Sequence, residues 1–290
     1  MAVSEQELTS LAATHDIISL GMLADDLRRQ RHETNTTFLR VADVPVDPGG
    51  PISIPAGAGE VRIVGAPASR GAALDRVREV VQQTNGKVLS AFSLADLEAL
   101  SAREGVTLRA LLEELHAAGL ELVAEAPFDR LHDARRSVEE VNISGLALAR
   151  LTIHQSPADR VAVLKAVADL QRAVAVIRAF APLPRRVNPA APTTGYDDVK
   201  HVALARVVVD NIPSIQVDWS LYGPKLAQVA LTVGADDVDA VSPEEETTEG
   251  RRRAPLEEIR RNIRAAGQTP VERNGRFEPV LPQAKAERPQ

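Results

Sequence analysis

Short β-rich runs alternate with amphipathic helical runs along this 290-residue chain, which predicts an α/β protein built as a (β/α)8 barrel. Three observations carry that expectation. The alternation is strict, so the strands are expected to be parallel and joined by helices. It repeats about eight times with mostly short connections, which favours a closed barrel over an open doubly wound sheet. No glycine-rich fingerprint follows the first strand, which weakens the dinucleotide-binding alternative.

The elements follow in order. IISLGMLADDLRRQRH (17–32) has apolar residues at helical spacing and a basic end suited to a helix C-terminus. TTFLRVADV (36–44) and GEVRIVGA (59–66) are the first two strands. RGAALDRVREVVQQTNG is a helix stopped at Asn85-Gly86, and KVLSAFS (87–93) is a strand. SLADLEALSAREG takes Ser93 as N-cap and ends at Gly105, and VTLRALLEELHAAG closes on Gly119. LELVAEA (120–126) and LALARLTIH (146–154) are strands. SPADRVAVLKAVADLQRA is a helix with Ser156 as cap and Pro157 in its first turn. VAVIRAFAPL (174–183), SIQVDWSL (214–221) and ADDVDAV (235–241) complete the strands, and DDVKHVALARVVVDN (197–211) and GPKLAQVALTVG (223–234) the helices between them.

The expected organisation is an N-terminal helical segment (1–35), the barrel (36–241), a charged linker (242–255), a C-terminal helix with an extension packed on the barrel (256–280), and a disordered tail (281–290). Aromatic residues are only 3%, so the core must be built from Ala, Val, Leu and Ile. The net charge of −6 argues against a nucleic-acid face, no apolar run reaches the length of a membrane span, and a cytoplasmic protein is expected. There is no cysteine, which removes disulfides, thiolate zinc sites, cysteine nucleophiles and cysteine-held clusters. The histidines show no metal spacing, so no metal site is expected.

The stretch DDVKHVALARVVVDNIPSIQVDWSLYGPKLAQVALTVGADDVDAV, with LEEIRRNIRAAGQTPVERN after the linker, resembles radical SAM enzymes of the futalosine route to menaquinone. These are aminofutalosine synthase and dehypoxanthine futalosine cyclase, with the deazaflavin-forming synthase as a further relative. The similarity runs back through SPADRVAVLKAVADLQ, LRALLEELHAAGLELV and GEVRIVGAP to LGMLADDLRRQRH. It implies a (β/α)8-type TIM barrel of the radical SAM class. In that family the first strand leads into a Cys-x3-Cys-x2-Cys loop holding a [4Fe–4S] cluster, and a helix returns to a second strand that ends in Gly-Gly beside SAM. This chain has no such cysteines, and the connection is only PVDPGGPISIPAGAG, with Ala66 where the second glycine would stand. Its prolines and glycines disfavour a helix, so the cluster loop and first crossover helix are read as deleted, with the segment closing over the barrel mouth. The turn after the fourth strand is AEAPFDRLHD instead of the family's glycine-rich one, and His154 stands one position out of register with its Gly-His.

Functional groups of a barrel lie at the C-terminal ends of its strands. The candidates are Asp43, Ser90, Glu125, Thr152 or His154, Arg178, Asp218 with Trp219, and Asp236 with Asp237. Arg178, inside an apolar run, reads either as a ligand contact or as an internal partner of Asp218 or Asp236. Trp219 is a stacking platform or a core filler, and Asp236 with Asp237 orients ribose hydroxyls or ligates a metal, or else caps an element as surface charge. His154 is a candidate general base. The expectation is therefore a cluster-less homologue, or pseudoenzyme, tied to menaquinone biosynthesis, that binds a metabolite through Arg178, Asp218, Trp219 and Asp236 or partners an active radical SAM paralogue. The alternative is a cofactor-free enzyme using Asp218, Arg178 or His154 for acid/base chemistry on a related nucleoside or benzoate. Neither a [4Fe–4S] cluster nor SAM is expected as a cofactor. Anaerobic treatment of the purified protein with iron and sulfide should leave it colourless and without 5′-deoxyadenosine formation under reductant; a charge-transfer band of a [4Fe–4S] protein would overturn this.

Overall fold

The computed structural model describes residues 5–47, 49, 52–186, 192–247 and 253–280. Two helices, α1 (Glu5–Ala13) and α2 (Ile17–His32), precede β1 (Asn35–Pro45) and β2 (Glu60–Val64). Then come α3 (Arg70–Val81), β3 (Val88–Ser93), α4 (Leu94–Glu104), α5 (Leu108–Ala117), β4 (Leu122–Pro127) and α6 (Ala134–Ile143). The fifth strand is split into β5 (Ala147–Leu148) and β6 (Leu151–Ile153), followed by α7 (Arg160–Val174), β7 (Ala179–Pro184) and α8 (Gly195–Val208). The chain continues with β8 (Ser214–Asp218), α9 (Trp219–Leu231), β9 (Asp237–Val241), α10 (Pro255–Ala265) and β10 (Thr269–Arg273).

All strand pairings in this series are parallel, and pairing of β1 with β9 closes the sheet into an eight-stranded barrel. β10 adds outside that closed ring. It pairs with Asn35–Leu39 of β1, whereas β2 pairs with Val41–Pro45. The short β2 covers only the upper part of β1, and the C-terminal extension completes the lower part. The sequence pattern did not announce β10 or α6, and within the expected helical segment 1–35 it did not single out α1.

The segment between β1 and β2 holds no helix among its described residues, as expected, but of those residues only Asp43 reaches the mouth, so they do not close over it. Val46 N–H donates to the Val64 carbonyl at the upper end, and Arg76 of α3 clasps the Pro45 carbonyl through two N–H groups. At the lower end the Lys87 ammonium donates to the carbonyls of Ala56 and Ala58. Ile52 and Ile54 pack against the core on the way. The segment runs down the outside of the barrel, where a crossover helix would lie, because it has to join the top of β1 to the bottom of a parallel neighbour.

Two further boundaries moved. α7 is capped by the Asp159 carboxylate on Ala162 N–H, not by Ser156, and it extends to Val174 before Ala175 turns left-handed at φ 54°. β7 therefore begins only at Ala179, which leaves Arg178 at the foot of the strand. The Asn85-Gly86 stop is real, with φ 51° and 80°, although α3 ends earlier and a turn intervenes.

The strands carry apolar side chains outward against the helices and polar ones inward. Val61, Ile63, Leu89, Ala91 and Val238 belong to the outer core. Inside, Asp237 receives two N–H groups of Arg273 at 2.6–2.7 Å and the Gln216 amide, and Arg273 also lies 3.9 Å over the Phe277 ring. At the foot of β9, Asp236 pairs with Arg206 and accepts from Ser214 Oγ and Ile215 N–H. α8 is buried on nearly all sides because α2 lies against it and Lys200 donates to the carbonyls of Ala12 and Thr14. Among the described residues no helix is long and apolar enough to cross a membrane.

Arg273 and Asp237 are almost fully buried, so removing one charge strands the other. Arg273→Ala should cost about 3–5 kcal/mol in urea unfolding at neutral pH, and adding Asp237→Ala should recover part of that loss.

Candidate functional site

At the C-terminal ends of the strands a cavity of about 810 Å³ stands open. Each strand position in the barrel contributes to it. Asp43 comes from β1, Arg62 to Ala66 from the end of β2, Phe92 and Ser93 from β3, and Ala124 and Glu125 from β4. Arg150 and His154 flank β6, Arg185 and Arg186 follow β7, Asp218 ends β8, and Ala240 belongs to β9. Among the described residues of the segment 43–59 only Asp43 lines it, so these residues leave the mouth accessible.

The floor is ionic. The Asp239 carboxylate accepts two N–H groups of Arg62 at 3.1 Å and is also paired with Arg150. Burial alone would raise its pKa, but Arg150 and Arg62 outweigh burial and hold it well below the usual carboxylate range. Glu60 takes the Nε–H of Arg62 at 2.9 Å and the Ser90 hydroxyl at 2.7 Å. One layer up, Arg185 bridges Asp218 at 2.5 Å and Glu125 at 3.3 Å. Asp218 also caps α9, accepting from Leu221 N–H at 2.9 Å. Burial works against its ionisation, yet Arg185 prevails and its pKa is lowered.

Asp43 behaves in the opposite way. It is wetted by the cavity but recessed, and desolvation raises its pKa against the pull of Arg62. Burial, Arg130 and Arg186 keep His154 below its ordinary value, so its imidazole is neutral at pH 7. On the wall made by β3, β4 and β6, among the described residues, Ser93 Oγ and Arg150 Nε are buried without a hydrogen-bond partner, and Glu125 Oε2 has only its ion pair with Arg185; Thr152 Oγ1, also unpartnered, lies in β6 off the cavity lining. Such atoms are rare in folded proteins and costly unless something completes them. Two strand ends on the cavity are strained as well, with Phe92 at φ 62° and Ala240 at φ 57°. Gly65, at φ 110°, is where Val46 approaches to 2.7 Å of any added Cβ, so that turn requires glycine.

The structure brings Asp218, His154, Asp43 and Glu125 together and separates them from the other candidates. Arg178 lies at the opposite end, exposed, donating to the Arg276 carbonyl at 2.9 Å; it pairs with neither Asp218 nor Asp236. The reason is the late start of β7. Asp236 is also at the lower end, committed to Arg206, because it precedes β9 instead of ending it. Trp219 begins α9 and is packed in the core, without touching the cavity. Sequence reasoning missed Arg62, Arg150, Arg185 and Asp239. For Arg62 and Arg150 the signal existed, since each is a guanidinium inside an apolar strand run, as in EVRIV and LALARLTIH.

The donor set does not fit a cysteine-held iron–sulfur cluster, because no thiolate exists in the chain. Among the described residues no group of three or more His, Cys, Asp or Glu is placed to hold a metal ion.

Comparison with known proteins agrees with the fold and the resemblance. Residues 182–285 match the family described as the CofH/MqnC C-terminal region. The aminodeoxyfutalosine synthase of Thermus thermophilus is 28% identical over 242 residues, 71% of this chain and 64% of that enzyme. The cyclic dehypoxanthine futalosine synthase of Streptomyces coelicolor is 24% identical over 220 residues, 67% of this chain and 55% of that enzyme. A 5-amino-6-(D-ribitylamino)uracil–L-tyrosine 4-hydroxyphenyl transferase of Methanopyrus kandleri is 40% identical over a shorter stretch, 36% of this chain and 30% of that enzyme. This chain thus spans less than two thirds of the length of these relatives. Among solved structures, methylornithine synthase superposes with a TM-score of 0.66 at 12% identity, covering 93% of this chain and 95% of that one. The FeFe-hydrogenase maturase HydG from Carboxydothermus hydrogenoformans gives 0.64 at 11% identity, with coverages of 93% and 76%. At such identities these two show the shared barrel.

Replacing Arg185 by Met removes the strongest group that lowers the Asp218 pKa while burial and Asp239 still raise it and Arg150 still lowers it, so that pKa should rise. The stabilisation from the depressed pKa is present above the unfolded Asp value of about 3.9 and is lost as pH falls through the lower folded value. Carboxyl 13C NMR titration of both proteins, with acid unfolding, checks the direction; an unchanged Asp218 titration would contradict it.

Proposed function

We propose that this chain, which is related to the radical SAM enzymes of the futalosine pathway, is a cluster-less barrel that binds a small polar metabolite in its open mouth. The observation that carries the reading is the cavity of about 810 Å³ with an incompletely satisfied polar wall and a preorganised arginine–carboxylate floor. A barrel retained only as scaffold has no need to keep such groups buried and unpartnered. Reductive SAM cleavage needs an iron held by thiolates, and the chain supplies none. In this reading Arg185 and Arg150 meet oxygen atoms of the ligand, Glu125 and Asp43 meet its donors, and His154 lines the rim.

One observation favours a second reading, cofactor-free acid/base catalysis. Asp43 and Asp218 line one cavity and are pushed in opposite directions, the arrangement by which two carboxyls divide proton-donating and ion-pairing roles.

Thermal-shift and calorimetric titration with aminodeoxyfutalosine, dehypoxanthine futalosine, carboxyvinyloxybenzoate and SAM tests the first reading. One of the pathway compounds is expected to bind, and Arg185→Ala to weaken it by about 1.5–3 kcal/mol, the usual worth of a charge-assisted hydrogen bond. Reaction of a bound compound that stops in Asp43→Asn while its binding persists would replace the binding reading by the catalytic one.

A further inference from the structure

At the lower face of the barrel, opposite the mouth, a second cavity of about 400 Å³ opens between the feet of β4, β5 and β7 and the turn at Asn274–Glu278. We propose that this cavity is a binding site for a carboxylate carried on a small apolar body.

Its floor is apolar: Leu122, Leu146 and Leu148 are buried there, and the Phe277 ring forms one wall. Phe277 holds a left-handed backbone, φ 65°, that an aromatic residue rarely adopts. The turn is held by Phe277 N–H on the Asn274 carbonyl at 3.1 Å, and the Arg273 guanidinium sits over the ring. The strain sets the ring between this cavity and the small void under Arg62 and Arg150, so it serves as a fixed partition.

The charged groups are unequally committed. Arg276 is spent on Glu121 at 2.6 Å, and Glu278 accepts the Asn274 side-chain amide at 2.8 Å. Arg178 spends one N–H on the Arg276 carbonyl and makes no ion pair among the described residues. Among the described residues Arg178 is therefore the arginine of the cavity without an ion pair, and its planar fork suits a carboxylate. One such arginine among the described residues stands beside Glu121 and Glu278, a balance that suits a monoanion better than a phosphate dianion. The leucines and Phe277 then receive the ligand's apolar body.

The test is titration of the intact 15N-labelled chain with benzoate, phenyl phosphate and benzylamine, followed by backbone amide shifts. Benzoate should produce saturable shifts at residues 146–148 and 276–278, weakened about tenfold or more in Arg178→Gln and partly restored in Arg178→Lys. Arg178 is exposed, so these variants are expected to fold, and unchanged spectra elsewhere verify it. No saturable shift with benzoate, equal binding in Arg178→Gln, or shifts confined to mouth residues such as Glu125 and Arg150 would overturn the site. Tighter binding of phenyl phosphate, or equal binding of benzylamine, would overturn the ligand class.

Discussion

The interior of this barrel depends on Asp239. One buried carboxylate holds two buried guanidinium groups, Arg62 from β2 and Arg150 between β5 and β6. Two like charges in a desolvated space are tolerated only with an opposite charge between them, and geometry must be good for the attraction to offset desolvation. Glu60 supplies the fourth charge, and Arg273–Asp237 forms a second pair below. Elsewhere such interiors are commonly filled by layers of branched apolar residues. Here ion pairs fill it, which leaves rigid charged groups directly beneath the mouth.

That arrangement explains how the connection between β1 and β2 can be short without collapsing the site. The upper layer is anchored from below and from the side, through Arg185 to Asp218 and Glu125. Of the loop's described residues only Asp43 lines the cavity, so the lack of a helix there leaves the floor intact. The lower half of β1, which the short β2 does not reach, is paired by β10 instead. The C-terminal extension is thus part of the barrel's architecture, and its turn at Asn274–Glu278 shapes the lower cavity.

Arg178 and Asp236 lie away from the mouth for one reason. Each lies within or beside an apolar run, which predicts a place in a strand but not at which of its two ends. Ala175 ends α7 in a left-handed residue and pushes the start of β7 past Arg178. Asp236 precedes the first residue of β9. A shift of a few residues in a strand boundary moves a side chain from the C-terminal face of a barrel to its N-terminal face. Asp218 escaped this error because it directly precedes a helix that it caps. Trp219, one residue later, falls on the helix face turned to the core.

What the sequence by itself determined is the parallel α/β alternation, the barrel, the absence of any thiolate and the lack of a helix in the shortened connection. These follow from local periodicity, from composition and from the backbone restrictions of proline and glycine, all of which act over a few residues. Only the tertiary structure decided that Arg62, Arg150 and Asp239, far apart in the chain, share one charge cluster, and that the mouth stays open. Burial and pairing of charge depend on which strand ends converge, and that convergence is a property of the closed barrel, set by register between strands, which no single segment encodes.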